Sequence, residues 1–89
     1  MRVLIVEDEK RLAATLQDLL EMDGYTADVS YDGESGLDNA LTAIYDVILL
    51  DVMLPKLNGF EVLRRLRAER VATPVLMLTA RSEVTDKVQ

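Results

Sequence analysis

Three apolar runs in the chain each stop at residues able to do chemistry. Val3-Leu4-Ile5-Val6 is followed by Glu7-Asp8, Val47-Ile48-Leu49-Leu50 by Asp51, and Val75-Leu76-Met77-Leu78 by Thr79-Ala80. The chain has no histidine and no cysteine. That removes the commonest general base, the commonest metal ligand, thiolate sites and disulfides. Carboxylates, hydroxyls, lysines and backbone groups remain. Carboxylates brought close together repel, and a hard divalent cation relieves the repulsion. Mg2+ takes carboxylate oxygens and keeps several waters, leaving places for phosphate oxygens. Such a pocket suits phosphoryl transfer, where positioning and electrostatics supply most of the catalysis. The nucleophile would then be a carboxylate and the product an aspartyl phosphate.

Each of these residues also has a plainer reading. Asp8 and Glu9 suit a helix cap or first turn. Asp51 suits a turn, and Thr79 suits a strand end where its hydroxyl satisfies the backbone. The chemical reading depends on whether the fold brings them to one place.

Strand-like and helix-like segments alternate along the chain. After the first apolar run, Glu9 to Met22 carries Leu12, Leu16, Leu19 and Leu20 at helical spacing, and Asp23-Gly24 stops it. Tyr25 to Tyr31 alternates, with Tyr25, Ala27 and Val29 on one face, as a half-exposed edge strand does. Asp32-Gly33-Glu34 opens a second helix with Leu37, Ala40, Leu41 and Ile44 on one side. Asp46 to Leu50 reads as a buried strand. Asn58-Gly59-Phe60-Glu61 has capping-box spacing and starts a third helix carrying Phe60, Leu63 and Leu66. Thr73-Pro74 leads into the last apolar run, another buried-looking strand, and Ser82 starts a fourth helix.

Purely apolar strands alternating with helices predict an α/β doubly wound parallel sheet with helices on both faces. An edge-like second strand favours the flavodoxin-like order 2-1-3-4. In such sheets the functional crevice lies beyond the carboxyl ends of the strands, where the order switches direction. Glu7, Asp8, Asp51 and Thr79 all fall at that edge, and structural caps have no reason to meet there.

The bulk composition is ordinary for a soluble globule, 49% apolar and 29% charged. The 89 residues allow one domain, expected over 1–89. Sixteen acids against ten bases give a net charge of −6, which argues against direct binding of nucleic acid by this segment. No apolar run reaches the length of a membrane span. Met1 leads straight into a strand-like segment, so no export signal is expected, and the lack of cysteine suits a cytoplasmic location.

These motifs resemble the receiver domain of bacterial two-component response regulators. The likeness rests on VLIVEDE at Val3 to Glu9, VILLDVMLPKLNGFEVL at Val47 to Leu63 and TPVLMLTAR at Thr73 to Arg81. Their wording is most similar to the winged-helix OmpR/PhoB-type transcriptional regulators. The resemblance implies that Asp51 accepts a phosphoryl group from a phosphohistidine on a sensor histidine kinase. It implies that Glu7, Asp8 and Asp51 hold Mg2+ together with the backbone carbonyl of Met53, and that Thr79 is the switch hydroxyl. Ala80 matches the small residue that leaves the phosphoryl group room. Pro55 and Gly59 shape the loop after Asp51, and Lys56 in that loop reads as a surface charge. The exposed side of the first helix, near Arg11 and Ala14, is where such domains dock the kinase.

The family pattern continues into a fifth strand ending in a lysine, then a last helix. Those elements and most of the fourth helix are missing from 1–89, and Lys87, in a helix-like segment, is no substitute for that lysine. The fourth strand is therefore expected to present an edge that invites self-association. The rival expectation is a phosphorylation-incompetent, self-associating fragment or scaffold. A phosphohydrolase would want an acid two residues after Asp51, where Met53 stands. FMN or dinucleotide binding would want glycine-rich phosphate loops that the chain lacks.

Overall fold

The computed structural model describes residues 1–78. A strand with four consecutive apolar residues has no polar face, so it is stable only with neighbours on both edges and cover on both sides. β1 (Arg2–Val6) meets that demand. It pairs in parallel with β2 (Thr26–Ser30) on one edge and β3 (Val47–Leu50) on the other. β4 (Val75–Met77) adds to β3, also in parallel. The order is 2-1-3-4, with β2 at the edge as its alternating pattern predicts.

The crossovers are α1 (Lys10–Met22), α2 (Gly33–Ala40) and α3 (Gly59–Ala68). Each has a side-chain acceptor at its N-cap. Glu9 accepts from the Leu12 N–H at 2.6 Å, Asp32 from Ser35 at 2.7 Å and Asn58 from Glu61 at 3.0 Å. The plain cap reading thus holds for Glu9. Only half of the expected capping box forms at α3, because the Glu61 carboxylate accepts from the Arg64 and Arg65 guanidiniums instead. Those two guanidiniums hold its pKa down at about 2. α1 stops at Asp23, and Gly24 adopts φ 90 to turn the chain.

Alternate strand residues build two layers. Leu4, Val6, Ile48 and Leu50 face α2 and α3 and join Ala40, Tyr45, Leu54, Val62 and Leu66 in the larger core. Val3, Ile5 and Ala27 face α1, with Leu16, Leu20, Val29, Val47 and Leu49 packed around them.

Several expected core positions lie elsewhere. In α1 the buried stripe runs through Ala13, with Leu16 and Leu20 half-buried, and Leu19 at its rim is exposed. α2 ends at Ala40, so Leu41 and Ile44 fall past it on the surface. The Thr42 hydroxyl donates to the Asn39 carbonyl at 2.6 Å and Ala43 takes φ 60, which turns the chain out of the helix. In α3 the buried positions are Gly59, Val62 and Leu66, while Phe60 in the first turn is exposed and Leu63 half-buried. Val47 and Leu49 are only half-buried, because α1 covers β1 and β2 rather than β3. Leu76 in β4 is exposed, as befits the outer strand among the described residues. The expected fourth helix from Ser82 lies outside the described residues.

Candidate functional site

The sheet register dictates where the carboxylates emerge. Val6 of β1 stands beside Leu50 of β3, so Glu7 and Asp51 leave adjacent strands at the same level. The ladder carries on for one residue past each strand. Asp51 N–H donates to the Val6 carbonyl at 3.0 Å, and Glu7 N–H donates to the Ser30 carbonyl at 3.0 Å. Both backbones are therefore held by the sheet rather than by a loop.

Glu7 and Asp51 are buried, and Asp8 is exposed beside them. One carboxylate oxygen from each of the three lies within 4.8 Å of the others. Among the described residues no other group of three such side chains is as close. Glu7 also accepts the Glu9 N–H at 3.0 Å, which orients one of its oxygens. The donor set is entirely oxygen and carries three formal negative charges, the chemistry that a hard divalent cation requires. Burial of two carboxylates strengthens that requirement, since their repulsion is poorly screened.

The loop after Asp51 is folded tightly onto the site. Gly59 N–H donates to the Val52 carbonyl at 2.8 Å, and a side chain at Gly59 would overlap the Asp51 carbonyl oxygen. Met53 lies two residues beyond Asp51 with its side chain exposed. Pro55 is exposed in the same loop. Lys56 adopts φ 70 and its exposed ammonium stands 3.9 Å from Asp32, a loose surface pair. Arg11 and Ala14 are both exposed on α1. Thr79, Ala80 and Lys87 lie outside the described residues.

A parallel 2-1-3-4 sheet with an acidic pocket over its switch point defines a class of signalling domain, and comparison with known proteins agrees. Residues 3–89 match the model of the response regulator receiver domain, so the chain belongs to that family. It is 50% identical over 88 residues to the transcriptional regulatory protein DltR of Streptococcus agalactiae, covering 99% of this chain and 39% of that protein. Response regulator ArlR of Staphylococcus haemolyticus is 50% identical over 86 residues, covering 97% of this chain and 39% of that protein. The chain thus spans about two-fifths of the length of these relatives. Among solved structures, the receiver domain of Francisella response regulator 1452 superposes with a TM-score of 0.83 at 31% identity. That likeness covers 98% of this chain and 74% of the other. The Vibrio cholerae chemotaxis protein CheY4 gives 0.79 at 29% identity, over 98% and 77%.

One feature near the site escaped the sequence reading. Asp32-Gly33 reads as a helix start and nothing more, yet Gly33 touches the loop after Asp51. A signal was present, because two glycines in an eight-residue helix weaken it without local benefit. Such glycines mark close approach by another part of the chain.

Proposed function

We propose that this receiver domain takes a phosphoryl group from a sensor histidine kinase onto Asp51. The observation that carries the reading is the meeting of Glu7, Asp8 and Asp51 at the carboxyl ends of β1 and β3. A buried Asp51 on a backbone tied to β1 can present a carboxylate oxygen in line with an incoming phosphorus. The new bond joins that oxygen to phosphorus, and the bond from phosphorus to the imidazole nitrogen breaks. The imidazole leaves with the electron pair and takes up a proton from solvent.

Glu7, Asp8, Asp51 and the Met53 backbone carbonyl are the groups that would hold Mg2+. When bound, the cation neutralises charge on the phosphoryl oxygens. The Thr79 hydroxyl would donate a hydrogen bond to one of those oxygens, and Ala80 would leave them room. Arg11 and Ala14 mark the side of α1 offered to the kinase. In this reading the domain is a phosphoacceptor that assists its own phosphorylation and dephosphorylation. In the full-length cytoplasmic protein it switches a DNA-binding output domain that regulates transcription.

Incubation with Mg2+ and a small phosphodonor, followed by intact mass measurement, tests this. The expected result is the gain of one phosphoryl group by the parent protein and none by Asp51→Asn. No mass gain in folded parent protein would overturn this reading.

A further inference from the structure

The loop from Val52 to Asn58 is held at its far side by the start of α2, a residue pair distant from it in sequence. Gly33 N–H donates to the Pro55 carbonyl at 3.1 Å, and Leu57 N–H donates to the same oxygen at 2.8 Å. One carbonyl therefore ties α2 and the turn of the loop together. The approach is closer than any side chain permits, since a Cβ on Gly33 would overlap the Leu57 carbonyl oxygen and crowd Leu57 Cβ at 2.8 Å. Asp32, the N-cap of α2, adds the loose pair with Lys56 at 3.9 Å. On its near side the loop is closed by Gly59 against Asp51.

We propose that Gly33 is a positioning residue for the acidic pocket: by admitting the Pro55–Leu57 turn against α2, it sets the path of the loop that leaves Asp51 and carries the Met53 carbonyl. The inference rests on the cation-binding reading above and deepens it. Gly33 stands outside the carboxylate cluster, and its effect passes through the loop backbone. If the clamp favours the cation-competent loop, then by linkage the cation must tighten the clamp.

Backbone amide spectra and hydrogen exchange of isotope-labelled protein, with and without Mg2+, test both halves. Mg2+ should slow exchange of the Gly33 amide while shifting the amides around Glu7, Asp8 and Asp51. Gly33→Ala should displace the amides of residues 52–58 in metal-free protein and weaken Mg2+ binding by about tenfold. Gly24→Ala is the control. Gly24 holds φ 90 beyond the end of α1, where an added Cβ meets nothing within 4 Å, so the substitution strains the backbone without touching the loop or the carboxylates. It should lower thermal stability yet leave Mg2+ affinity near the parent value.

Equal Mg2+ affinity in parent and folded Gly33→Ala would overturn the proposal, as would an equal loss in both glycine variants. Should Gly33→Ala fail to fold, the exchange measurement on the parent decides: a Gly33 amide indifferent to bound Mg2+ overturns the clamp, and a slowed one supports it. A parent protein whose amides ignore Mg2+ would overturn the cation reading itself. The clamp is then judged on the metal-free loop amides, supported if Gly33→Ala displaces them and overturned if it does not.

Discussion

Two sets of carboxylates on the sheet sit in different surroundings. At the carboxyl ends of the strands, Glu7, Asp8 and Asp51 crowd within 4.8 Å of one another. Away from that edge, at mid-strand in β2 and just ahead of β3, Asp28 and Asp46 stand apart and each meets a donor. Asp28 of β2 accepts the Tyr45 hydroxyl at 2.7 Å and lies 3.8 Å from the Arg2 guanidinium. Asp46 accepts the Arg2 N–H at 2.6 Å, and its own N–H donates to the Arg2 carbonyl at 2.7 Å. The first arrangement stores repulsion that a cation can relieve, and the second staples β1, β2 and the approach to β3. Like groups on one sheet thus crowd together in one place and are separately paired in another.

The sharpest way to break this contrast is to add Mg2+. At about 100 times its dissociation constant, a cation bound only by the folded state stabilises by about 2.7 kcal/mol. Thermal unfolding should show that gain in the parent protein and a much smaller one in Asp51→Asn. Next in size, Asp28→Ala should cost about 1.5 kcal/mol in urea denaturation, because it removes the half-exposed acceptor of the Tyr45 hydroxyl. Asp51→Asn should act in the other direction, gaining about 1 kcal/mol in metal-free buffer by removing one of three like charges. A carboxylate in either set can be deleted, and the sign of the stability change reports which surroundings it had.

The smallest effect is a pH limb. Burial first, and then the bond to Asp28, push the Tyr45 phenol from 10.0 up to about 12. A raised folded-state pKa means that this contribution is complete below pH 10 and is lost as pH climbs towards 12. Absorbance titration should show late ionisation of one of the three tyrosines, abolished in Tyr45→Phe.

Much of the architecture was legible from local pattern. The apolar runs at Val3–Val6 and Val47–Leu50 became central strands, and alternation over Tyr25–Tyr31 marked the edge strand. Glu7, Asp8 and Asp51 were legible as a cluster because strand ends in a parallel sheet come out on one side. Leu19, Ile44 and Phe60 were misjudged because helical spacing reports which residues share a face, not how wide a strip the neighbouring strands cover. Tyr45 with Asp28, 17 residues apart, and Gly33 with Leu57 leave no periodic trace at all.

By itself, then, the sequence determined the strands, their parallel order and the carboxylates at their ends, since hydrophobic period and turn chemistry act over a few residues. The tertiary structure alone decided that Glu7 and Asp51 are buried while Asp8 faces solvent, that Asp28 is paired, and that Gly33 lets a distant loop rest on α2. Those outcomes depend on which surfaces meet once the helices pack, and distances between remote residues exist only when the sheet has closed.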